Sequence, residues 1–173
     1  LYTLGLVNGV ASGGYALDAP ATRAQAAVLL FRLSGEENAA QAASGSAGFT
    51  DVPGWAASAV RYGSQKGWIR GTAGGAFYPD QAITANAWCA FLLRMLGYSD
   101  TAGDFAVSDA AAFAQRIGLT ARAYSGTLTR GDLFEIAAGA LTFSYRDGSD
   151  TVIARLVESG ACPQAAANAL GLL

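Results

Sequence analysis

Two arginines lie where elementary electrostatics does not favour them. Arg23 and Arg130 each directly follow a threonine that can cap a helix, and the dipole of a helix disfavours a cation in its first turn. Backbone N–H groups at the same place favour an anion, and a guanidinium adds two parallel donors that fit a carboxylate. The pattern therefore predicts carboxylate binding, with pairing to a nearby acid such as Asp18 or Asp132 as the simpler alternative.

Few other residues offer catalytic or metal-binding chemistry. The chain has no histidine, which removes the commonest general base and the commonest metal ligand. Cys89 and Cys162 are isolated thiols, a spacing that favours free cysteines and leaves a disulfide as the alternative. Carboxylates that could hydrolyse a sugar in pairs also stay open: Glu36, Glu37, Glu135 and Glu158. The sequence therefore predicts no cofactor and no metal site.

The composition indicates a folded protein and argues against two classes of partner. Of the 173 residues, 52% are hydrophobic and 14% are charged, which is typical of a globular domain. The net charge of −2 gives no basic field for nucleic acid or anionic lipid, and no apolar run reaches the ~18 residues needed for membrane insertion. The start, LYTLGL, has no leader-like segment, which predicts a processed chain or a fragment.

The residues around Arg23 predict an amphipathic helix with both ends marked. In TRAQAAVLLFRLSG, residues 22–35, Thr22 can cap the first turn and Gln25 can reach back to the cap. Gly35 can end the helix in the left-handed conformation. Apolar residues at helical spacing predict the buried stripe: Ala26, Leu29, Leu30 and Leu33.

This pattern occurs three times along the chain. The segment from Gly5 repeats from Gly67 at an offset of 62 residues without a gap, and a third, weaker copy starts at Gly118. A threonine opens the second helix of each copy, but Ala85 stands where the first and third copies carry arginine. The stripes predicted for the second and third copies are Trp88, Phe91, Leu92 and Met95, and Leu133, Ile136, Ala137 and Ala140.

Each copy is also expected to begin with a helix. In the second copy this helix is predicted from about Trp55 to Lys66, and in the third Ser108 is predicted to cap it. Only LYTL precedes the glycine of the first copy, which is therefore expected to lack its opening helix. The C-terminal PQAAANALGLL either packs in that place or forms an ordinary terminal helix. Residues 37–48 and 98–104 are predicted to be linkers.

These elements predict an all-α fold made of helix–loop–helix repeats. The repeats are expected at residues 1–36, 49–98 and 104–145, with further helices in the C-terminal part, 146–173. One unit of two short helices cannot bury enough surface to be stable, but three units packed about a shared axis can. A single domain with a shared core is therefore expected.

Residues 49–84, FTDVPGWAASAVRYGSQKGWIRGTAGGAFYPDQAIT, resemble the S-layer homology repeat. The pattern of that family is Phe-x-Asp-Val, a Trp that opens a helix, a Gly-hydrophobic-Ile-x-Gly turn, Phe-x-Pro, and Ile-Thr-Arg-Ala-Glu at the start of a second helix. The likeness is strong in the second copy, good in the latter part of the first, and degraded in the third.

The resemblance implies a fold, a role and a location. Three such repeats form an all-helical pseudo-trimeric bundle with grooves between neighbouring repeats. The family is not enzymatic, and it anchors exported proteins non-covalently to secondary cell-wall polysaccharide, often through pyruvylated sugars. We therefore expect an extracellular module at the bacterial cell surface or cell wall, with that polysaccharide as its partner.

The resemblance also implies which residues bind the glycan: Arg23, Asp51, Trp55, Gly71 and Arg130. In this interpretation Trp55 stacks on a sugar ring, Asp51 accepts hydrogen bonds from sugar hydroxyls, and an arginine binds the pyruvate carboxylate. We expect Arg23 to face Asp51 and Trp55 in one groove and Arg130 to serve a second.

Departures from the family pattern leave a second function open. Ala85 replaces the arginine of the second copy, and the third copy lacks the Phe-x-Asp and Trp signature. Binding is therefore expected to be weaker than in a member with complete motifs. The alternative is a protein-interaction or assembly module that kept the scaffold without glycan binding and acts through a protein partner or self-association.

Overall fold

The computed structural model describes residues 1–10, 13–42, 45, 48–71 and 74–173. Within these ranges the regular structure is helical, which confirms the all-α prediction. The α-helices are α1 (Arg23–Ser34), α2 (Glu37–Ala42), α3 (Gly54–Gln65), α4 (Ala85–Met95), α5 (Ala110–Arg116), α6 (Arg130–Ala140), α7 (Val152–Glu158) and α8 (Gln164–Ala169). A 3₁₀ turn, Val107–Asp109, precedes α5. The repeat bounds given above stay predictions.

Helices α1, α4 and α6 begin in the same way. The hydroxyl of the preceding threonine, Thr22, Thr84 or Thr129, accepts the backbone N–H three residues further on. In α1 and α6 the side chain at that third position returns a bond to the threonine N–H, so the capping box is complete. Gln25 does this in α1, as predicted, and Asp132 in α6.

The predicted apolar stripes of these three helices form the centre of the core. All of their residues are buried, and they belong to one continuous cluster: Ala26, Leu29, Leu30, Leu33, Trp88, Phe91, Leu92, Met95, Leu133, Ile136, Ala137 and Ala140. Gly35 ends α1 at φ 68°, in the left-handed region. The local signals of the sequence therefore identified the helices that build the core.

A closed ring of backbone hydrogen bonds joins the starts of α1, α4 and α6. Ala21 N–H donates to the Leu128 carbonyl at 2.9 Å, Leu128 N–H to Ile83 at 2.9 Å, and Ile83 N–H to Ala21 at 2.8 Å. Each of these residues directly precedes a capping threonine. The three segments thus occupy equivalent places around one point, with residues more than a hundred positions apart in direct contact.

The remaining helices pack around this centre. Helix α3 packs on α1, α5 on α4, α7 on α1 and α8 on α7. The opening helix predicted for the second copy is confirmed, since α3 runs Gly54–Gln65. Cys89 and Cys162 are both buried and free.

Two local predictions are wrong for reasons that lie outside the local sequence. Ser108 does not cap α5, because it lies inside the 3₁₀ turn and Asn86 of α4 caps the helix instead. The Asn86 Oδ1 accepts the Ala111 N–H at 3.0 Å, and its Nδ2 donates to the Ser108 carbonyl at 2.8 Å. In the predicted linker 37–48, the first six residues form α2, because Ala40 is buried against the core. Residues 43–44 and 46–47 lie outside the described residues.

Candidate functional site

Arg23 and Arg130 make the same contact in two different repeats. Arg23 is 8% exposed and Arg130 is 9% exposed. The Arg23 Nε donates to the backbone carbonyl of Phe77 at 2.8 Å, and the Arg130 Nε donates to that of Tyr15 at 2.8 Å. Phe77 and Tyr15 each lie seven residues before a capping threonine. Each arginine therefore holds a loop that lies far from it in the sequence.

Neither arginine forms an ion pair within 4.0 Å among the described residues, so the simple pairing with Asp18 or Asp132 is wrong. The Asp132 carboxylate instead binds the Arg122 guanidinium at 2.8 Å. Burial lowers the pKa of Arg23, and the field of the Asp51 carboxylate opposes that effect. Arg23 still carries a full charge at neutral pH, because a guanidinium does not deprotonate in proteins.

The helix starts themselves offer no free amides to an anion. In α6, the N–H groups of Arg130 and Gly131 donate to the Ala19 and Leu17 carbonyls, and the Asp132 N–H donates to its capping threonine. The first three amides of α1 are engaged in the same way. The expectation that the first backbone N–H groups of α1 and α6 assist anion binding is therefore wrong.

Trp55 and Arg130 line one cavity of about 310 Å³, which we call the Trp55 cavity. Trp55 lies in the first turn of α3 and is 62% exposed. The polar and aromatic side chains around the cavity are Asn8, Gln25, Arg32, Trp55, Arg130 and Phe134. Among the described residues of this lining, two are cations and none is a carboxylate. On a chain of net charge −2, this cavity is suited to an anionic ligand with a face that can stack on the indole.

Arg23 and Gly71 line a different cavity of about 320 Å³, the Arg23 cavity. Its other charged side chains are Arg70, Arg94 and Asp100. The two Arg94 donors Nε and Nη2 bind the Asp100 carboxylate at 3.0 and 2.9 Å, and these bonds lower the pKa of Asp100. One carboxylate thus offsets part of the positive charge in this cavity.

Asp51 lies outside both cavities and performs a structural task. Its carboxylate accepts the N–H groups of Phe77 and Tyr78 at 3.0 and 2.8 Å, and these two bonds lower its pKa. It lines a third, shallow hollow together with Tyr78 and Asp80. The three residues predicted to share one groove, Arg23, Asp51 and Trp55, therefore line three separate cavities, and Arg130 lines the cavity of Trp55 instead.

Gly71 is required by close packing. A Cβ at Gly71 would lie 2.3 Å from the Phe49 Cε1 atom, a distance that no real contact adopts. Phe49 in turn packs on Phe77, with 5.7 Å between ring centroids. Gly71 also lines the Arg23 cavity.

A fourth cavity, of about 330 Å³, lies where the start of α4 has Ala85 in place of an arginine, and we call it the Ala85 cavity. Its lining includes Asn86, Asp109 and Tyr124, and no cation. The three helix starts therefore border three chemically different hollows: one with two cations and no acid, one with three cations and an acid, and one with an acid alone.

Another cavity, of about 640 Å³, lies beyond the C-terminal ends of α1, α3 and α4. Four cations line it, and each has a carboxylate within 4.0 Å: Lys66, Arg94, Arg146 and Arg155. Cations also complement the negative ends of helix dipoles. This cluster is therefore explained by the fold.

Sequence reasoning missed Gln25 and Arg32 as lining residues of the Trp55 cavity. Both lie on α1 at a spacing of seven residues, which places them on one helix face. The sequence shows that Gln25 and Arg32 share one face of α1, but it does not show that this face lies beside α6.

Comparison with known proteins identifies the class of domain. Residues 48–84 match the model of the S-layer homology domain. The match confirms, for these residues, the resemblance found in the sequence. The matched segment includes Asp51, Trp55 and Gly71, and it ends at Thr84, the cap of α4.

The chain is also similar to three surface proteins of bacteria. It is 34% identical over 161 residues to a cell surface protein of Thermoanaerobacter kivui, covering 88% of this chain and 21% of that protein. It is 31% identical over 146 residues to the middle cell wall protein of Brevibacillus brevis, covering 82% of this chain and 14% of that protein. A surface layer protein of Brevibacillus choshinensis is 33% identical over 100 residues, or 57% of this chain and 9% of that protein.

The chain thus spans about a fifth or less of the length of these relatives. The domain match and the relatives together indicate a location at the cell surface or in the cell wall, as predicted. Among the helices that the structure describes, none has the length and apolarity to cross a membrane.

Proposed function

We propose that this chain is a non-catalytic module that anchors an exported protein to secondary cell-wall polysaccharide through the Trp55 cavity. The observation that carries the proposal is the pairing of an exposed indole with two arginines in a cavity where the described lining residues include no carboxylate. A volume of about 310 Å³ lies within the usual range of ligand pockets.

Three helix–loop–helix repeats arranged as a pseudo-trimer are part of this proposal. The ring of bonds among Ala21, Ile83 and Leu128 supports it, since each residue occupies the same place before a capping threonine. The matching contacts of Arg23 with the loop before α4 and of Arg130 with the loop before α1 support it as well. In this arrangement the cavities are the grooves between neighbouring repeats.

The ligand chemistry follows from the groups that remain available. Arg130 uses only its Nε in the hydrogen bonds of the described residues, so its terminal nitrogens can donate to a carboxylate such as that of a pyruvylated sugar. The Trp55 indole provides a stacking face for the sugar ring, and exposed aromatic faces of this kind also attract polarised C–H groups. Arg32 adds a second positive charge to the same cavity.

The other two grooves are expected to contribute unequally. The Arg23 guanidinium donates to two carbonyls, those of Phe77 and Arg70, and a carboxylate shares its cavity. We therefore assign it a weaker anion site. The Ala85 cavity has no cation and is assigned no role in binding an acidic sugar.

A sedimentation assay with cell-wall sacculi tests the proposal. The wild-type chain is expected to co-sediment with native sacculi and to stay in solution with peptidoglycan stripped of its polysaccharide. Trp55→Ala should lose most of the binding, and Trp55→Phe should keep a large part of it, because the stacking face is retained. Circular dichroism checks that each variant is folded. Equal binding to native and stripped walls would contradict the proposal.

The alternative, an assembly module without glycan binding, gives a different pattern in the same experiments. It predicts no binding to native sacculi and an increase in mass by light scattering, through self-association or capture of a protein partner. Trp55→Ala would then weaken association between protein molecules instead of wall binding.

A further inference from the structure

We propose that Arg32 binds the carboxylate of the ligand in the Trp55 cavity through two parallel hydrogen bonds, from Nε and Nη2. This inference rests on the proposed function and names a contact within it. Arg32 lies in the last turn of α1, and it is not among the residues that the resemblance implies for glycan binding. The argument for it comes from a second arginine of the same chain.

The Trp55 cavity and the Arg23 cavity have corresponding linings. Six residues of the Trp55 cavity recur 62 positions later in the lining of the Arg23 cavity, among them Gly9 as Gly71 and Arg32 as Arg94. The same offset relates the first two copies of the sequence pattern. The two cavities can therefore be compared residue by residue.

Arg32 and Arg94 hold the same backbone position in their two cavities. The Arg32 Nη1 donates to the Leu6 carbonyl at 3.2 Å, and the Arg94 Nη1 donates to the Trp68 carbonyl at 3.3 Å. Leu6 and Trp68 are also 62 positions apart. The two guanidinium groups are thus anchored in the same way, and each keeps the edge with Nε and Nη2 for another partner.

The two arginines differ in what binds to this second edge. The Arg94 Nε donates to Asp100 Oδ1 at 3.0 Å and its Nη2 to Oδ2 at 2.9 Å, and Asp100 is part of the cavity lining. The Arg32 Nε and Nη2 have no hydrogen-bond partner among the described residues. Six residues after Arg32, where Asp100 follows Arg94, the chain has the neutral Asn38. Asp100 therefore shows how a carboxylate binds to this arginine, and we expect the ligand carboxylate to take the corresponding place at Arg32.

This assignment divides the work between the two cations of the Trp55 cavity. The Arg130 Nε donates to the Tyr15 carbonyl, so Arg130 offers its terminal nitrogens and its charge. Arg32 offers the edge that binds a carboxylate with two parallel bonds, which fixes orientation as well as adding energy. The comparison also gives a reason for the weaker anion site assigned to the Arg23 cavity, because Asp100 already neutralises Arg94 there.

The test is a titration of pyruvylated cell-wall polysaccharide into the whole chain, with the same polysaccharide freed of pyruvate by mild acid as the second probe. Arg32→Lys keeps the charge and loses the paired donors. Arg32→Gln keeps a donor for the Leu6 carbonyl and loses the charge. Arg61→Lys is the matched control, because Arg61 is also half-buried, donates to one carbonyl, that of Ala40 at 3.3 Å, and lies outside the Trp55 cavity. Circular dichroism checks that each variant is folded.

Arg32→Lys is expected to weaken binding of the pyruvylated probe by about tenfold or more, and Arg32→Gln by at least as much. Arg61→Lys should stay within about threefold of wild type. On the depyruvylated probe all three variants should bind like wild type, and this separates carboxylate binding from a purely structural task of holding Leu6.

Three results would overturn the inference about Arg32 and leave the proposed function standing. They are wild-type affinity of both Arg32 variants for the pyruvylated probe, an equal loss of affinity for the two probes, and equal binding of the two probes by the wild-type chain. If the wild-type chain binds neither probe, the proposed function fails and this inference falls with it.

Discussion

Arg23 and Asp51 hold opposite ends of one residue. The Arg23 Nε donates to the Phe77 carbonyl at 2.8 Å, and the Asp51 carboxylate accepts the Phe77 N–H at 3.0 Å. Asp51 comes from the turn before α3 and Arg23 from the start of α1. Two residues expected to bind a glycan therefore clamp the loop that leads into α4, and part of the family pattern serves the fold.

The clamp makes stability depend on pH in the acid range. The N–H groups of Phe77 and Tyr78 lower the pKa of Asp51 in the folded state. A lowered pKa gives stability that is present above the unfolded value of about 3.9 and is lost as the pH falls through the folded value. Asp51→Asn should therefore melt below wild type at pH 7, and the difference in Tm should shrink as the pH falls below about 4. A difference in Tm that stays constant from pH 7 to pH 3 would show that charge is not the cause.

Gly71 gives a prediction about packing that is independent of charge. A methyl group there would clash with the Phe49 ring, so we expect Gly71→Ala to lower the free energy of unfolding by about 1–3 kcal/mol. Gly54→Ala is the matched control, because a Cβ at that position, the first residue of α3, meets nothing within 4 Å. The control should be neutral or slightly stabilising. Urea unfolding of both variants distinguishes the two cases, and equal effects would mean that Phe49 moves aside freely.

Much of the fold could be predicted because its signals are local. The cap of α1 depends on Thr22 and Gln25, three residues apart, and the stripes follow from helical spacing. The capping box of α6 was visible in the same way through Thr129 and Asp132. Such features need only the residues of one turn, which a single sequence contains.

The grouping of Trp55 with Arg130 in one cavity could not be predicted, because these residues are far apart in the sequence. Arg130 contacts Tyr15 across 115 residues of chain, and the ring of bonds at the helix starts decides which arginine lies beside Trp55. The spacing of residues along the sequence does not show which distant segments are in contact in the folded chain. The prediction that Ser108 caps α5 was wrong for the same reason, because the Asn86 side chain of α4 accepts the Ala111 N–H instead.

The raised pKa of Tyr62 makes stability depend on pH in the alkaline range as well. Burial and the neighbouring Glu36 carboxylate, which accepts its hydroxyl, raise the pKa of Tyr62 to about 12. A raised pKa gives stability that is complete below the unfolded value of about 10 and is lost as the pH rises toward the folded one. Tyr62→Phe should therefore lose less stability than wild type between pH 10 and 12, although it lacks the hydrogen bond at pH 7.

Absorbance of tyrosinate at 295 nm measures this directly. The wild-type chain should retain tyrosines that ionise near pH 12, since burial also raises the pKa of Tyr124 to about 12. Tyr62→Phe should reduce the amplitude of that late step and leave the part due to Tyr124. An unchanged late step would mean that Tyr62 ionises with the ordinary tyrosines.

The last prediction restores the arginine that the second repeat lacks. Ala85 is the first residue of α4, its N–H donates to the Gly126 carbonyl at 2.8 Å, and it lines a cavity of about 330 Å³ without a cation. Ala85→Arg should place a guanidinium in that cavity and add a site for acidic sugar. Because the wall polymer is multivalent, its apparent affinity should rise several-fold, while depyruvylated polymer should bind as before. Ala165→Arg, at an exposed position of α8, adds the same charge away from the grooves and should give no such gain. A folded Ala85→Arg variant that binds no better than this control would mean that the groove needs more than an arginine to accept the ligand.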